Sequence, residues 1–495
     1  MQLFAVLKPS YSEIQRQLVP LFETGSHPST FYLYSTIMQV LIFIAIILSA
    51  VYFGIIIYYR FAFSGIRNQT LDNRHQTLEE RHQTLDDRQL ANEEALLTLE
   101  TRFVETNQPT NQSTNVPNPQ SQISNQPTNQ STNLLNPKSQ IPNSQQQSTK
   151  LTVIIPARNE AANIENCINS ILANNYPAHL LEIIVVDDHS DDETARLVKK
   201  YALQNVQLIL LKDFVTDRLN SYKKKAIEVA VSKASGTLIV TTDADCIVPL
   251  FWLQTIANFY EETNAQFIAA PVAINCGSLF IEIFQALDFM TLQGITAAVV
   301  HKKQMTMCNG ANMAYQRTAF YEVSGFAGID NIASGDDMLL MHKIYKKYPD
   351  KVLYLHAQEV IVQTAPVKTI KEFLNQRIRW ASKADKYDDK RILPVLVVVY
   401  SFNLILFLLP FIALVNNEGF SIATYQLSTF ITWAILFLGK TIVELFFLYP
   451  VAKFFNKEKL LWSFPIMQPF HILYTLIAGW LGKFGSYVWK ERVVK

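Results

Sequence analysis

The 495-residue sequence has only four cysteines, and no two of them form a Cys-x-x-Cys pair. Cys167, Cys246, Cys276 and Cys308 lie far apart, which argues against a zinc site or a disulfide framework and favours a reducing compartment. The chain also lacks an excess of either charge. Its formal net charge of +1 gives no electrostatic basis for binding nucleic acid. Apolar residues are concentrated in separate regions, which indicates membrane segments.

A first apolar run, residues 37–59, is long enough to cross about 30 Å of hydrocarbon as a helix. It begins too far from Met1 and is too long for a cleaved signal peptide. We therefore predict a transmembrane helix that follows an N-terminal tail of residues 1–36. Three further apolar runs lie near the C-terminus, at residues 392–415, 426–450 and 460–482.

The basic residues predict an orientation for these helices. If the region between the first two runs is cytosolic, Lys453 and Lys457 also lie inside, as the positive-inside bias requires. A third C-terminal span would instead leave Lys490 and Arg492 outside, so residues 460–482 are predicted to be either a span or a re-entrant segment. We predict an integral membrane protein, of the inner or plasma membrane in a bacterium, with a cytosolic catalytic domain.

Two repetitive segments follow the first apolar run. Near-identical heptads begin at Arg67, Arg74 and Arg81 and predict a helix over residues 65–105. Each heptad supplies one leucine where a stable coiled coil needs two apolar positions, so self-association is left open. Residues 106–150 are rich in Asn, Gln, Ser, Thr and Pro and cannot bury enough apolar surface to fold, which predicts a disordered linker.

Residues 151–390 have the pattern of a soluble α/β domain. Short apolar runs alternate there with amphipathic stretches of helical period, which is typical of a mainly parallel sheet with crossover helices. The clearest predicted strands are residues 151–157, 181–186, 206–211 and 238–242. Ligands of such sheets bind beyond the carboxyl ends of the strands, and the polar motifs of this region follow strand ends or open helices.

Two of these motifs close the first two predicted strands. IIPARNE contains Pro156, Arg158 and Glu160, and VVDDHSDD contains Asp187 and Asp188. A pair of carboxylates at a strand end suits adjacent N–H or O–H donors of a base or ribose. Helix capping is the alternative for this acidic cluster, and the residues alone leave both interpretations open.

TTDADC follows a fully apolar strand and contains Asp243 and Asp245. Both carboxylates can reach one hard cation together with phosphate oxygens. Mg²⁺ or Mn²⁺ bound there would neutralise charge that develops on a diphosphate leaving group. Asp-x-Asp also occurs widely by chance. A run of three lysines precedes this strand, and Lys225 is either part of a solvated helix face or a phosphate ligand.

Two further motifs lie closer to the C-terminal apolar runs. SGDDM contains Asp336 and Asp337, which either complement the positive end of a helix or supply a general base for an acceptor hydroxyl. QRIRW contains Gln376, Arg379 and Trp380. Its arginine and tryptophan are either interfacial anchors or a cation for phosphate beside a flat face for a sugar ring.

In this order, PARNE, VDDHS, DAD, GDD and QRIRW resemble the motifs of the family 2 glycosyltransferases. The resemblance covers residues 151–383 and implies a GT-A fold, a nucleotide-sugar donor and inversion at the anomeric carbon. It implies that Asp188, with Asp187, contacts the nucleotide. It also implies that Asp245, assisted by Asp243, holds the metal.

The resemblance assigns the general base to Asp337. Relatives commonly have Thr-Glu-Asp where this chain has Gly335-Asp336-Asp337, so the choice of Asp337 over Asp336 depends on that alignment. QRIRW is similar to the Gln-x-x-Arg-Trp signature of cellulose, chitin, hyaluronan and poly-N-acetylglucosamine synthases. The signature also occurs in ceramide glucosyltransferases, which add one sugar, and it leaves processivity open.

We therefore predict a membrane-embedded, metal-dependent, inverting glycosyltransferase. Its donor is expected to be a UDP-sugar and its acceptor a membrane-associated lipid or a growing polysaccharide. The alternative from another class is a membrane scaffold whose inactive transferase domain only binds a nucleotide. A carbohydrate exporter is disfavoured, because the apolar runs contain few charges and two of them, Lys440 and Glu444, are spaced to pair with each other.

Overall fold

The computed structural model describes residues 28–82, 148–215, 219–330, 332, 335–382, 389–414, 420–484, 487–489 and 492–494. By its contacts the chain divides into one unit of Met1–Ile66 with Thr149–Lys495 and another of Arg67–Ser148. The first helix, α1, spans Pro28–His82 and includes the first two heptads. The predicted tail up to residue 27, the heptad segment after His82 and the linker up to residue 147 lie outside the described residues.

The strands of the central region are short, and they pair into two sheets. They are β1 (Leu151–Ala157), β2 (Leu181–Asp187), β3 (Val206–Leu210), β4 (Leu238–Thr241), β5 (Cys246–Ile247), β6 (Phe267–Ala269), β7 (Val272–Ile274), β8 (Met313–Gln316), β9 (Val352–Tyr354) and β10 (Val362–Thr364). The large sheet has the order β3-β2-β1-β4-β8-β6-β9, and the small one has the order β5-β10-β7. Near the C-terminus, β11 (Tyr487–Trp489) and β12 (Arg492–Val494) form an antiparallel pair.

The helices of this region connect the strands and continue into the C-terminal part of the chain. They are α2 (Ile164–Leu172), α3 (Thr194–Lys199), α4 (Tyr222–Lys233), α5 (Trp252–Thr263), α6 (Phe280–His301), α7 (Arg317–Glu322), α8 (Met338–Lys347), α9 (Ile370–Ala381), α10 (Ile392–Leu414), α11 (Phe420–Phe454) and α12 (Phe464–Phe484). Short 3-10 segments span Ala178–Leu180, Ala202–Gln204, Leu211–Asp213, Gln358–Val360 and Glu458–Ser463.

The large sheet is mainly parallel, which confirms the predicted fold class. β3, β2, β1 and β4 run parallel, β8 is antiparallel to both of its neighbours, and β9 pairs in parallel with β6. Successive residues of a strand face opposite sides of a sheet. In β1, Val153 and Ile155 enter one buried apolar cluster and Ile154 enters the other. Because both faces are covered, the strand is apolar apart from Thr152, which is why its sequence predicted it.

By length and apolar composition, five helical segments of the described residues could cross a membrane. They are Thr36–Ile66, Phe280–His301, Ile392–Ile412, Leu427–Phe454 and Glu458–Phe484. Four correspond to the predicted runs, although the last begins with a 3-10 segment before α12 starts at Phe464. The long apolar helices make this a membrane-associated protein. The identity of the membrane and the orientation of the helices in it stay predictions.

The fifth segment, α6, lies inside the α/β region and was not predicted as a membrane candidate. In its most apolar window 78% of the residues are buried within the protein, against 17–39% for the other four segments. A Cβ atom at Gly294 would lie 2.6 Å from Val451 of α11, so the two helices pack closely at this glycine. The apolar surface of α6 is therefore largely covered by other parts of the protein.

A buried polar cluster joins three of the long helices. The Lys440 ammonium group lies 2.6 Å from Glu444 and 3.1 Å from Oε1 of Gln468 in α12. Tyr52 of α1 and Gln468 both donate hydrogen bonds to the Glu444 carboxylate. Lys440 is fully buried, and the predicted pairing with Glu444 is confirmed. A buried ion pair is tolerated when additional hydrogen bonds satisfy its remaining polar atoms, as those of Tyr52 and Gln468 do here.

We expect Lys440→Met to destabilise the protein more than the double variant Lys440→Met/Glu444→Leu. The single change leaves a buried carboxylate without its cation, at a cost of about 3–5 kcal/mol, whereas the double change removes both charges. Thermal unfolding in detergent, followed by intrinsic fluorescence, measures the difference. An equal or lower melting temperature for the double variant would show that the ion pair is not what stabilises this contact.

Candidate active site

The carboxyl ends of β1 and β4 border a crevice. The chain adds β2 and β3 on one side of β1 and then returns to add β4 on its other side. Such a reversal leaves space for a ligand beyond the strand ends. A cavity of about 420 Å³ lies there. It is lined by most of the predicted site residues: Pro156, Arg158, Glu160, Asp188, Asp243, Asp245, Asp336, Asp337, Gln376, Arg379 and Trp380.

The loops after β1 and β2 are bonded to each other and form one wall of this cavity. Arg158 donates from Nη1 to the carbonyl oxygens of Asp188 and His189, at 2.8 and 2.9 Å. The backbone N–H of Asn159 donates to Ser190 Oγ at 3.0 Å. Asn159 and His189 both have positive φ angles, of 52° and 53°, so both strands end in a sharp turn. The two motifs therefore form one structural unit.

The acidic residues after β2 lie in different surroundings. Asp192 accepts one hydrogen bond from the backbone N–H of Ala161, in the loop before α2, and one from that of Thr194, the first residue of α3, each at 3.0 Å. Burial alone would raise the pKa of Asp192, but these hydrogen bonds and that of the Thr194 hydroxyl hold it below its usual value. Asp188 is buried and lines the cavity, whereas Asp187 is buried but does not line it.

The lysine run contributes a residue that the sequence analysis missed. Lys223 lines the cavity, and its Nζ lies 2.8 Å from Asp243 Oδ1 and 3.1 Å from Asp336 Oδ2. Burial lowers the pKa of Lys223, but these two carboxylates outweigh it and raise the pKa above its usual value. Lys225, the predicted phosphate ligand, lies outside the cavity lining and pairs with Glu228 at 3.0 Å.

The helical period of α4 could have indicated that Lys223, rather than Lys225, lines the cavity. Lys223 shares a helix face with Ile227 and Ala230, which are buried. Lys225 shares the opposite face with Glu228 and Ser232, which are exposed. The pattern therefore favours Lys223 over Lys225. Lys224, the buried lysine of the run, is held elsewhere, since its Nζ donates to the carbonyl oxygens of Ile329 and Ile332 at 2.6 and 2.8 Å.

We expect Lys223→Met to reduce turnover and Lys225→Met to leave it unchanged. Without Lys223, Asp243 and Asp336 lose their shared cation, and a charged hydrogen bond is worth about 2 kcal/mol, or roughly a thirtyfold change in rate. Both variants remove one lysine from the same helix, so they are matched in net charge. The measurement is the initial rate of sugar transfer by each purified variant. Their melting temperatures are compared first, to show that both variants are folded. Equal rates would argue against a role for Lys223.

The SGDDM turn brings two carboxylates to the cavity in different environments. Asp336 is buried and paired with Lys223, whereas Asp337 is half-buried. Asp337 caps α8, since its Oδ1 accepts from the Met338 N–H at 2.8 Å and its Oδ2 from the Gly310 N–H at 3.3 Å. Gly335 has a φ of 81°, which suits glycine and turns the chain into the helix.

Gly310 belongs to the segment CNGANMAY, residues 308–315, and lies against the same carboxylates. A Cβ atom there would lie 3.3 Å from both Asp336 Oδ2 and Lys223 Nζ. Asn312, further along this segment, has a structural role: its fully buried amide nitrogen donates to the carbonyls of Pro271 and Val360, each at 2.7 Å. The hydrogen bonds of Asn312 therefore hold in place the segment that lines the cavity beside Asp336 and Asp337.

Asp243 and Asp245 have the chemistry of a site for a hard divalent cation. Both line the cavity, and within the described residues no group of three His, Cys, Asp or Glu side chains could hold a metal by itself. Two carboxylates are a typical protein contribution to Mg²⁺, which keeps water and phosphate oxygens as its other ligands. The residues present therefore fit a metal that is bound together with a diphosphate.

Another part of the cavity wall comes from α9. The helix begins with a capping box, in which the Thr369 side chain accepts from the Glu372 N–H and Glu372 accepts from the Thr369 N–H. QRIRW lies in its last two turns, and Gln376, Arg379 and Trp380 line the cavity. The spacing of these residues places them on one side of the helix.

The cysteines at this site are suited to packing rather than to nucleophilic chemistry. Cys246 and Cys308 line the cavity, and all four cysteines are free. Burial, together with the neighbouring carboxylates, raises the pKa of both cavity thiols well above its usual value. They therefore stay protonated and unreactive near neutral pH.

Comparison with known proteins identifies the domain that holds this cavity. Residues 152–324 match the model of the family described as Glycosyl transferase family 2. The chain carries a family 2 glycosyltransferase domain. The match includes the motifs after β1, β2 and β4. It ends before Asp336 and before QRIRW, so the roles of these later residues stay proposals.

Named glycosyltransferases resemble parts of the chain. It is 29% identical to the glycosyltransferase AglE of Haloferax volcanii over 25% of this chain and 39% of that protein. It is 24% identical to the poly-beta-1,6-N-acetyl-D-glucosamine synthase of Staphylococcus aureus over 47% of this chain and 53% of that protein. The match thus spans about half or less of these relatives' own lengths.

One solved structure with a similar fold is a mannosyltransferase, PcManGT of Pyrobaculum calidifontis, in complex with GDP-Man and Mn²⁺. It has a TM-score of 0.40 and 20% sequence identity, and the similarity covers 65% of this chain and 88% of that one.

Proposed function

We propose that this protein transfers a sugar from a nucleotide-sugar donor, with a UDP-sugar as the first choice, to an acceptor held at a membrane. The observation that carries the proposal is that carboxylates from four separate motifs and the QRIRW side chains line one cavity, most of whose motifs lie in the family 2 domain. Separate structural roles for these motifs would not require them to meet. The acceptor is a membrane-associated lipid or a growing glycan, since α9 is followed directly by the long apolar helices.

Each part of the cavity has a role in this reaction. The wall formed after β1 and β2, with Asp188, would bind the base and ribose of the donor, because buried carboxylate oxygens suit N–H and O–H donors. Asp245 and Asp243 would hold Mg²⁺ or Mn²⁺, which when bound neutralises charge on the diphosphate. Lys223, already among the carboxylates, and Arg379 would add positive charge for the phosphates.

The transfer itself is a direct displacement at the anomeric carbon. The acceptor oxygen forms the new bond to that carbon, and the bond to the diphosphate oxygen breaks with its electron pair leaving on the nucleoside diphosphate. Asp337 accepts the hydroxyl proton. Asp337 suits this role better than Asp336, because Asp336 is buried and held by Lys223. Attack opposite to the leaving group inverts the configuration of the sugar.

Donor screening tests the proposal. The full-length protein, purified in detergent, is given UDP- and GDP-sugars with native membrane lipids as acceptors, and release of nucleoside diphosphate is measured with Mg²⁺, with Mn²⁺ and with EDTA. We expect metal-dependent release from one donor and a labelled lipid or glycan product. Nucleotide binding without release from any donor would instead support the scaffold alternative.

A further inference from the structure

Arg377 is the buried charged residue of QRIRW. It lies between Gln376 and the other cavity residues of the motif, yet it does not line the cavity and is only 4% exposed. Its charge is matched by Asp288 of α6, which is also buried. Arg377 Nε and Nη2 lie 2.9 and 2.6 Å from Asp288 Oδ2. A guanidinium group buried this deeply requires such a partner.

The same guanidinium group contacts two cavity residues directly. Arg377 Nη1 donates to Gln376 Oε1 at 2.7 Å, which fixes the carboxamide with its amide nitrogen as the remaining donor. The guanidinium carbon lies 4.2 Å from the centre of the Trp380 ring and 4.6 Å from that of Phe373. A planar cation at this distance stacks on the aromatic face and restricts its rotation. Arg377 thus determines the positions of one polar and one aromatic group of the cavity wall.

The last long helix, α12, also contacts the Arg377–Asp288 pair. Tyr474 of α12 donates its hydroxyl hydrogen bond to Asp288 Oδ1, and its ring packs edge-on against Phe373 at 5.2 Å. His471, one turn earlier, lies 3.9 Å from the same carboxylate oxygen. A Cβ atom at Gly482 would lie 2.7 Å from Ala381, so α12 also lies against the end of α9. The position of the QRIRW helix therefore depends on α6 and α12 together.

We propose that Arg377 is a positioning residue for sugar transfer, held by Asp288 and Tyr474, and that it orients Gln376 and Trp380 toward the acceptor and the transferred sugar. This inference rests on the proposed function. It couples the transferase cavity to α12, and it predicts a defect in turnover that is separate from nucleotide binding, because the nucleotide wall lies on the strand-end side of the cavity.

The test compares Arg377→Met, Arg377→Lys and Tyr474→Phe in the full-length protein. We expect Arg377→Met to lower kcat by roughly 10- to 100-fold, the effect of losing charged hydrogen bonds, with little change in nucleotide affinity. Arg377→Lys retains the charge opposite Asp288 but loses the planar fork and stack, so it should recover thermal stability without recovering kcat. Tyr474→Phe should give a smaller loss of kcat in the same direction.

An ion pair outside the cavity offers a control, although only its aspartate is buried and the Arg391 side chain is 43% exposed. Arg391 makes two contacts of 2.7 Å with the buried Asp389, stacks on Tyr345 at 5.3 Å and lies outside the cavity lining. Arg391→Met should cost stability and leave kcat within about twofold once the folded fraction is matched, since it touches no cavity residue.

Four outcomes would overturn the inference. Full kcat in Arg377→Lys would reduce Arg377 to a structural cation. A parallel loss of kcat and nucleotide affinity in Arg377→Met, matched by Arg391→Met, would indicate general destabilisation. If the parent transfers no sugar from any donor, the proposed function fails and this inference fails with it, whereas an active parent with fully active Arg377 variants defeats this inference alone.

Discussion

Asp337→Asn is expected to reduce sugar transfer by roughly 100- to 10,000-fold, the range for removal of a general base. Asparagine has nearly the shape of aspartate but accepts no proton from an attacking hydroxyl. It also caps helices well, so its oxygen can still accept from the Met338 N–H at the start of α8. The fold and the donor site should therefore persist. Initial rates and nucleotide titrations on the same preparation measure the two effects separately.

Asp337→Ala provides the internal control for this prediction. It removes both the base and the cap, and it should add a loss of about 1 kcal/mol in stability to the same loss of turnover. If Asp337→Asn turns over within a few-fold of the parent, the base is another group. Asp336→Asn with the larger loss of activity would then assign that role to Asp336.

Asp245→Asn is expected to reduce transfer by roughly a thousandfold, because a metal at the diphosphate contributes several kcal/mol to transition-state stabilisation. An amide is a weak ligand for Mg²⁺ and Mn²⁺, so the apparent metal affinity should fall together with the rate. Titration of the initial rate with each metal separates the two effects. Excess metal should recover part of the lost rate.

Asp191→Asn is a suitable control for this change. Asp191 lies at the same end of the sheet, 3.9 Å from Arg158, but its side chain is 80% exposed and does not line the cavity. It should keep the activity and metal dependence of the parent. If Asp245→Asn also retains the metal dependence of the parent, the cation is held by other residues.

The central strands could be predicted because their local sequence determines them. β1, β2 and β4 are almost wholly buried, and the mainly apolar runs of β1 to β4 identified all four strands to within about a residue. The shorter strands β5, β6, β7, β9 and β10 have two or three residues each, and their pairing joins distant parts of the chain. Such runs carry too little periodicity to be distinguished from loops.

The cavity carboxylates could be predicted because a parallel sheet brings strand ends to one edge. The basic residues were harder to predict. The choice between Lys223 and Lys225 depended on which face of α4 is buried, and Arg377 depends on Asp288, 89 residues earlier. A lone aspartate within the apolar α6 requires a buried partner, but the sequence does not say which cation supplies it.

The central claim is that the donor, the metal and the transferred sugar all bind in this one cavity. Its most direct test is a cryo-electron microscopy structure of the full-length protein with an unreactive donor analogue and Mn²⁺. We predict that the nucleotide lies against Asp188, the metal beside Asp245, and the sugar between Asp337 and Trp380. A nucleotide bound elsewhere on the protein, or a metal bound without contact to Asp243 and Asp245, would contradict it.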